Sequence, residues 1–393
     1  MPFGNAAARC FYMLLKGLVE QGHRVTVFAA CSKREDVQEA ARLLPRPQYD
    51  VRCFGFPARG GLRAKWETLR RPYSYMFSSE LRRQLQAELA CGYDVLHLEQ
   101  LSSGWLGTDH IDRSLVNVYH LHSIDLAGVP RTSGRQRLDY ALMRRAERRL
   151  IGDFTFFRCV SQRLMDAVCS KNASAQGGFV PVSLDFEAYR YVPDEARPVA
   201  PTVVLIGQMG WYPSYSAAVR LLTRLWPHIR REVPEARLQI VGWAARRKLA
   251  AHVGEPAVEI LEDVDSAARF FERAGVFVYA PLRGSGAKIK ILEAMAYGVP
   301  VVTTPEGVEG LPARDDVHAG LAEDDQGLIS RTVSLLKNRE KQNAQRRAAR
   351  ALLEAHCSPE RTVQGIEHLY GLILDHHQKI RVPMRHTAGL LRP

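Results

Sequence analysis

The amino-acid sequence predicts an α/β protein of two Rossmann-like domains, each with a parallel β-sheet facing a central cleft. Short apolar strand-like runs alternate with helical stretches along both halves of the chain, a pattern typical of parallel sheets covered by helices. Residues 191–201 contain three prolines and suit a linker between the halves. At 393 residues, the chain is long enough for two domains.

Each half carries its own series of predicted strands. In the first half, strand-like runs lie at residues 24–28, 51–56, 94–98, 115–120, 154–160 and 179–184. In the second half, they lie at residues 202–206, 238–241, 258–261, 276–279 and 301–303. We therefore predict a first domain over residues 1–190, a linker over 191–201 and a second domain over 202–357.

The last predicted element is an amphipathic helix over residues 358–377, followed by a polar, basic tail over 378–393. Ser358 and Pro359 form an N-cap and first-turn pair. The apolar residues that follow at helical spacing are Val363, Ile366, Leu369, Tyr370 and Ile373.

The sequence begins at Met1 inside the loop that would follow the first strand of a Rossmann-like domain. Without that strand, a neighbouring strand edge would be unpaired and apolar helix faces would be uncovered. Either the start codon is assigned too late or the product is a defective relative. We favour the first interpretation and expect the strand upstream of Met1.

Composition narrows the class of protein. Seven cysteines, an odd number with no Cys-x-x-Cys pair, argue against a zinc site and a disulfide framework. No stretch approaches the roughly 20 apolar residues of a membrane span, and no signal peptide is evident, so we expect a cytoplasmic protein.

The formal net charge of +12 implies anionic partners. We predict no nucleic acid partner, because the arginines between Arg131 and Arg149 are not interleaved with aromatic residues that could stack on bases. An anionic membrane surface remains an alternative, and so does a basic helix that is simply solvated.

A glycine-rich loop at residues 284–286, between a predicted strand and a predicted helix, says most about function. Its backbone can turn tightly and present N–H groups at the helix start, which is the geometry of an anion pocket. Lys288 and Lys290 follow in the first helical turn, where cations oppose the helix dipole. An anionic ligand such as a diphosphate accounts for them better than helix stability does.

Glu293 lies within the apolar run of the same helix. Ile289, Leu292 and Ala296 recur on the packing face, and Gly298 is placed to end the helix. A carboxylate in such a position needs partners, and a pair of ligand hydroxyl groups is one candidate.

Residues 284–311 resemble the donor-binding segment of the family 4 glycosyltransferases, retaining enzymes of the GT-B fold. The resemblance extends over roughly residues 5–375. Further matching segments lie at residues 14–27, 122–125, 204–214 and 234–242. The family's architecture implies that the last helix crosses back onto the first domain.

The resemblance also implies the roles of individual residues. The donor diphosphate would lie on the glycine loop and the lysine pair, the ribose on Glu293 and the base near residues 261–265. His122 matches the histidine that the family directs at the donor sugar from the opposite domain. The implied catalytic residues are His122, Lys288 and Lys290, and the implied donor-binding residues are Gly284, Ser285, Gly286, Ala287, Glu293, Gly207 and Val264.

The implied reaction moves a sugar from a nucleoside-diphosphate sugar to an unidentified acceptor, which could be lipid-linked or lie at an anionic membrane surface. Lysines and helix N–H groups can neutralise the departing diphosphate, so we expect no metal and no cofactor. Retention is ascribed to attack on the same face, with the departing phosphate helping to take the acceptor's proton. We therefore name no catalytic base.

Two departures from the family pattern keep other functions open. Ser285 stands where many members have a glutamate, and residues 208–211 lack the arginine and lysine that many members carry there. A nucleotide-sugar epimerase of the same fold and a catalytically silent sugar-nucleotide-binding protein are the alternatives. A dehydrogenase is disfavoured, because no Gly-x-Gly-x-x-Gly follows a strand.

Overall fold

The computed structural model describes residues 6–31, 49–57, 61–197, 200–262 and 264–381. The strands are β1 Val25–Cys31, β2 Tyr49–Gly55, β3 Leu96–Leu98, β4 Ser114–Val118, β5 Phe156–Cys159, β6 Gln176–Phe179, β7 Thr202–Ile206, β8 Arg237–Val241, β9 Val258–Leu261, β10 Val276–Tyr279, β11 Val301–Thr303 and β12 Gly320–Leu321. The helices are α1 Ala6–Glu20, α2 Gly61–Arg70, α3 Ser79–Ala90, α4 His122–Asp125, α5 Gly134–Asp153, α6 Gln162–Cys169, α7 Tyr212–Arg220, α8 Trp226–Glu232, α9 Ala245–Lys248, α10 Ala268–Arg273, α11 Ile289–Ala296, α12 Asp325–Lys337, α13 Arg339–His356 and α14 Pro359–Arg381.

The strands of the first domain form two parallel sheets, β1–β2 and β3–β4–β5–β6. Val25 of β1 pairs with Tyr49, and Leu96 of β3 pairs with Ser114. Among the described residues, β1 pairs only with β2 and β3 only with β4. The strand expected ahead of α1 lies outside the described residues.

One strand prediction in the first domain was wrong in position. The run at residues 179–184 was predicted as a strand, but the strand paired with β5 is Gln176–Phe179. Pro181 has no N–H to donate to a ladder, and the carbonyls of Val180 and Pro181 instead accept hydrogen bonds from Arg158 at 3.1 and 2.7 Å.

The second domain contains one six-stranded sheet in the order β12-β11-β10-β7-β8-β9, and every neighbouring pair is parallel. The chain proceeds from β7 outward to β9 on one side, then returns to β10 and continues to β12 on the other. Adjacent connections therefore diverge between β7 and β10. In parallel α/β sheets, ligands bind beyond the carboxyl ends of the strands at such a switch point.

The final helix, α14, returns to the first domain. His23 and Glu367 are joined by a hydrogen bond of 2.9 Å, and His97 and Tyr370 by one of 2.6 Å. The apolar residues at helical spacing that are buried are Val363, Ile366, Leu369 and Ile373. The predicted two-domain α/β architecture with a returning helix is thus confirmed. No helix in the described part of the chain is long and apolar enough to cross a membrane.

Candidate active site

Lys290 lies at the switch point of the second sheet. Its ammonium group donates to Ser214 Oγ at 2.6 Å and lies 4.4 Å from the ring centroid of Tyr279, the last residue of β10. A Cβ at Gly207, just after β7, would lie 3.3 Å from Lys290 Nζ. Burial and the like charge of Lys288 lower the pKa of Lys290 to about 7.

Lys288 is the N-cap residue of α11 and is only 8% exposed. Its Nζ donates to the carbonyl of Gly286 at 2.6 Å and lies 3.6 Å from Glu309 Oε2. Burial lowers the pKa of Lys288, while the carboxylates of Glu309 and Asp125 partly oppose that shift. The ammonium groups of buried Lys288 and half-buried Lys290 therefore lie at the start of α11, with Lys288 as the N-cap residue rather than in the first helical turn, where the sequence analysis placed it.

Glu309 was not singled out in the sequence. Its carboxylate accepts hydrogen bonds from Ser161 Oγ at 2.6 Å and from Arg163 Nη2 at 2.7 Å, both in the first domain. Burial would raise its pKa, but Lys288, Ser161 and Arg163 together hold the pKa of Glu309 below its usual value. Glu309 thus connects one site lysine with the opposite domain.

The glycine loop meets the first domain directly. Gly286 has a φ of 71°, and a Cβ there would lie 1.9 Å from the backbone oxygen of Tyr119, so only glycine fits. Ser285 Oγ donates to Asp125 Oδ1 at 2.8 Å and accepts the Leu121 N–H at 2.9 Å. Burial raises the pKa of Asp125 to about 6, although the hydrogen bond from Ser285 favours the charged carboxylate and partly opposes this shift.

His122 begins α4 and lies at the contact between the domains. Its ring centroid is 5.7 Å from that of Trp211 in the second domain, 4.6 Å from that of His120 and 6.0 Å from that of Tyr73. Burial, aided by His120, lowers the pKa of His122 to about 3. The imidazole is therefore neutral at physiological pH, with one ring nitrogen as a hydrogen-bond donor and the other as an acceptor.

Glu293 of α11 has protein partners. Its Oε1 is paired with the guanidinium of Arg9 on α1 and accepts a hydrogen bond of 3.4 Å from the hydroxyl of Tyr189. Burial raises the pKa of Glu293, while Arg9 opposes the shift. The sequence did not point to Arg9, because nothing local indicates a contact between residues 284 positions apart.

The remaining predicted residues occupy different parts of the site. The carbonyl of Gly284 accepts a hydrogen bond from Arg163, and Ala287 is partly buried against the core. Val264 follows β9, which is two strands and therefore about 10 Å from β7. Asp263, within the predicted base-binding segment, lies outside the described residues. No cluster of His, Cys, Asp or Glu able to hold a metal ion occurs among the described residues.

Two sequence profiles of glycosyltransferase families match the two halves of the chain. The sequence profile described as Glycosyltransferase Family 4 matches residues 7–176, and the one described as Glycosyl transferases group 1 matches residues 200–338. No curated protein sequence matches the chain significantly.

Several solved structures share the fold. Sucrose-phosphate synthase from Thermosynechococcus elongatus is similar with a TM-score of 0.69 and 17% identity, over 93% of this chain and 92% of that one. HepE from Anabaena, in complex with UDP-glucose, is similar with a TM-score of 0.66 and 13% identity, over 94% of this chain and 97% of that one. WaaG, a glycosyltransferase involved in lipopolysaccharide biosynthesis, is similar with a TM-score of 0.62 and 15% identity, over 95% of this chain and 97% of that one.

Proposed function

Because this chain belongs to the family 4 glycosyltransferases, part of glycosyl transferases group 1, we propose that it transfers a sugar from its donor with retention of anomeric configuration and without a metal ion. The chain is a glycosyltransferase of the nucleotide-sugar-dependent kind. Because HepE was solved with UDP-glucose, UDP-sugars are the first donors to test. The acceptor we propose is lipid-linked or lies at an anionic membrane surface.

The observation that supports this proposal most is the pair of ammonium groups at the start of α11, that of Lys288 buried and that of Lys290 half-buried. Lys290 has a neutral hydrogen-bond partner, Ser214, and its lowered pKa reflects a charge that is poorly compensated. A donor diphosphate placed there would supply the missing negative charge. In return, Lys288, Lys290 and the N–H groups of α11 would stabilise the charge that develops as the nucleoside diphosphate departs.

His122 reaches the same region from the first domain through its contact with Trp211. A neutral imidazole can hydrogen-bond to a sugar hydroxyl without drawing the negative diphosphate away from the lysines. We propose that the acceptor attacks on the face that the leaving group vacates, and that the departing phosphate takes the acceptor's proton. No protein base is required for that route.

The test is to follow the purified protein with UDP-, GDP- and ADP-sugars by NMR, with a chelator present and absent. We expect one donor to release its nucleoside diphosphate at the same rate in both conditions, and the first sugar product to keep the donor's anomeric configuration. An inverted product would contradict retention, and loss of activity with the chelator would contradict metal independence. Epimer formation without release of nucleotide would favour the epimerase alternative.

The role of Glu293 can be tested with donors that have or lack the ribose hydroxyls. If its carboxylate accepts the ribose hydroxyls, Glu293→Gln should weaken binding of the ribonucleotide donor by about 1–3 kcal/mol, because one acceptor becomes a donor in a desolvated site. Calorimetry should then show that the wild type loses affinity for a 2′,3′-dideoxyribose analogue and that the variant does not.

The ion pair with Arg9 provides the competing explanation and its control. If Glu293 serves only to hold α1 against α11, Arg9→Gln should reproduce the effect of Glu293→Gln on both donors. Additive losses from Glu293→Gln and removal of the hydroxyls would show that this carboxylate is structural, and the ribose assignment would be abandoned.

A further inference from the structure

On the first domain, the end of α2 meets α5 through Arg145. The guanidinium of Arg145 on α5 donates to the backbone carbonyls of Leu69 and Arg70 at the end of α2, the latter at 3.4 Å. Leu138 precedes Arg145 by two helical turns and therefore lies on the same face of α5. We define the α2–α5 surface as Trp66, Leu69 and Arg70 of α2 together with Leu138 and the arginines of α5.

Large apolar side chains on this surface are open to solvent. Trp66 is 59% exposed, Leu69 45% and Leu138 53%. Single exposed apolar residues are common on proteins, but several on adjoining helices mark a surface that meets another apolar phase or partner. The guanidinium of Arg70 lies 5.4 Å from the ring centroid of Trp66, so a cation accompanies the largest of these groups.

The charge of α5 indicates the chemistry of the partner. Its six arginines are all exposed and are Arg135, Arg137, Arg144, Arg145, Arg148 and Arg149. Its acidic residues are fewer, and one of them, Glu147, is buried and accepts hydrogen bonds from Ser123. Exposed tryptophan and leucine beside a row of arginines match an anionic bilayer, which offers an apolar interface under negative headgroups.

The α2–α5 surface also leads to the candidate active site. Beyond Arg70 the chain passes through Pro72, whose carbonyl accepts the indole N–H of Trp105 at 2.8 Å, to Tyr73. The ring of Tyr73 lies 6.0 Å from that of His122. The exposed apolar groups and the sugar-directed histidine are therefore joined by a short, anchored segment.

We propose that the α2–α5 surface docks this protein on anionic lipid bilayers, with Trp66, Leu69 and Leu138 in the headgroup interface and the arginines of α5 above it. The inference deepens the proposed function, on which it rests only for the acceptor. A lipid-linked acceptor would then reach the cleft along Tyr73. Docking itself requires no catalysis and can be measured separately.

The test is sedimentation of the full chain with vesicles of phosphatidylcholine alone, or with about one third phosphatidylglycerol. We expect binding only to the anionic vesicles, and weaker binding as salt is added. Arg144→Gln with Arg148→Gln should lower the affinity by roughly fivefold per arginine. Trp66→Asp with Leu138→Asp should reduce it at least about tenfold.

Val253→Asp with Val317→Asp is the matched control, because these exposed residues lie on the second domain and should leave vesicle binding within about twofold of wild type after allowing for the added charge. Equal binding to both kinds of vesicle, no binding, or equal losses in the two aspartate variants would overturn the proposal. Binding to nucleic acid without binding to vesicles would overturn it too.

Hydrolysis of the donor in solution separates this proposal from the proposed function. Loss of vesicle binding with normal donor hydrolysis in Trp66→Asp with Leu138→Asp would support docking through this surface. A wild type that binds anionic vesicles but hydrolyses no sugar nucleotide would contradict the proposed function and leave docking supported.

Discussion

Replacing Lys288 and Lys290 together with alanine is expected to weaken donor binding by well over tenfold. Each charged hydrogen bond to a phosphate is worth about 1.5–3 kcal/mol, and both ammonium groups flank the start of α11. Calorimetric titration with the sugar nucleotide that the protein hydrolyses measures the effect. An unchanged affinity would refute the anion pocket.

The fold should survive this double substitution. The pKa of Lys290 lies below that of an exposed lysine, so the buried charge costs stability below about pH 7, and this cost disappears only as the pH rises towards the unfolded pKa. Removing Lys290 removes that cost. Removing Lys288 takes one partner from Glu309, whose carboxylate keeps its hydrogen bonds with Ser161 and Arg163. Lys248→Ala, an exposed change in the same domain, is the matched control and should leave donor affinity unchanged.

Replacing His122 with alanine is expected to lower turnover by about a hundredfold or more while changing affinity for the bare nucleoside diphosphate little. A group that contacts the sugar mainly in the transition state affects kcat rather than ground-state binding of the nucleotide. The measurements are kcat with the donor and calorimetric titration with the nucleoside diphosphate. Because the pKa of His122 is lowered to about 3, its titration should not appear in the pH profile of wild-type kcat between about pH 5 and 9.

His120→Ala provides the comparison for His122. Both rings contact Trp211 and each other, so either substitution opens similar space at the contact between the domains. A direct role for His122 requires a much larger loss of kcat from His122→Ala than from His120→Ala. Similar losses from the two variants, or an equal loss in binding of the bare nucleotide, would place His122 among the packing residues.

Local sequence patterns were sufficient for most of the architecture. The strands of the second domain are runs of β-branched and apolar residues, and β7, β8, β9, β10 and β11 form where the pattern predicted them. The two-residue strand β12 is too short to produce such a pattern. Strand β6 contains Gly177 and Gly178, and glycine is uncommon in strands. Those strands exist because β11 and β5 supply ready partners.

The sequence by itself determined the fold class, the family and the loop with its two lysines, because each is written in neighbouring residues. Only the tertiary structure decided which groups those residues meet. Ser285 bonds to Asp125 and Glu293 pairs with Arg9 across the two domains, and Lys290 loses much of its basicity through burial beside Lys288. Such contacts and shifts depend on how two separately folded sheets come together, and no local spacing encodes that arrangement.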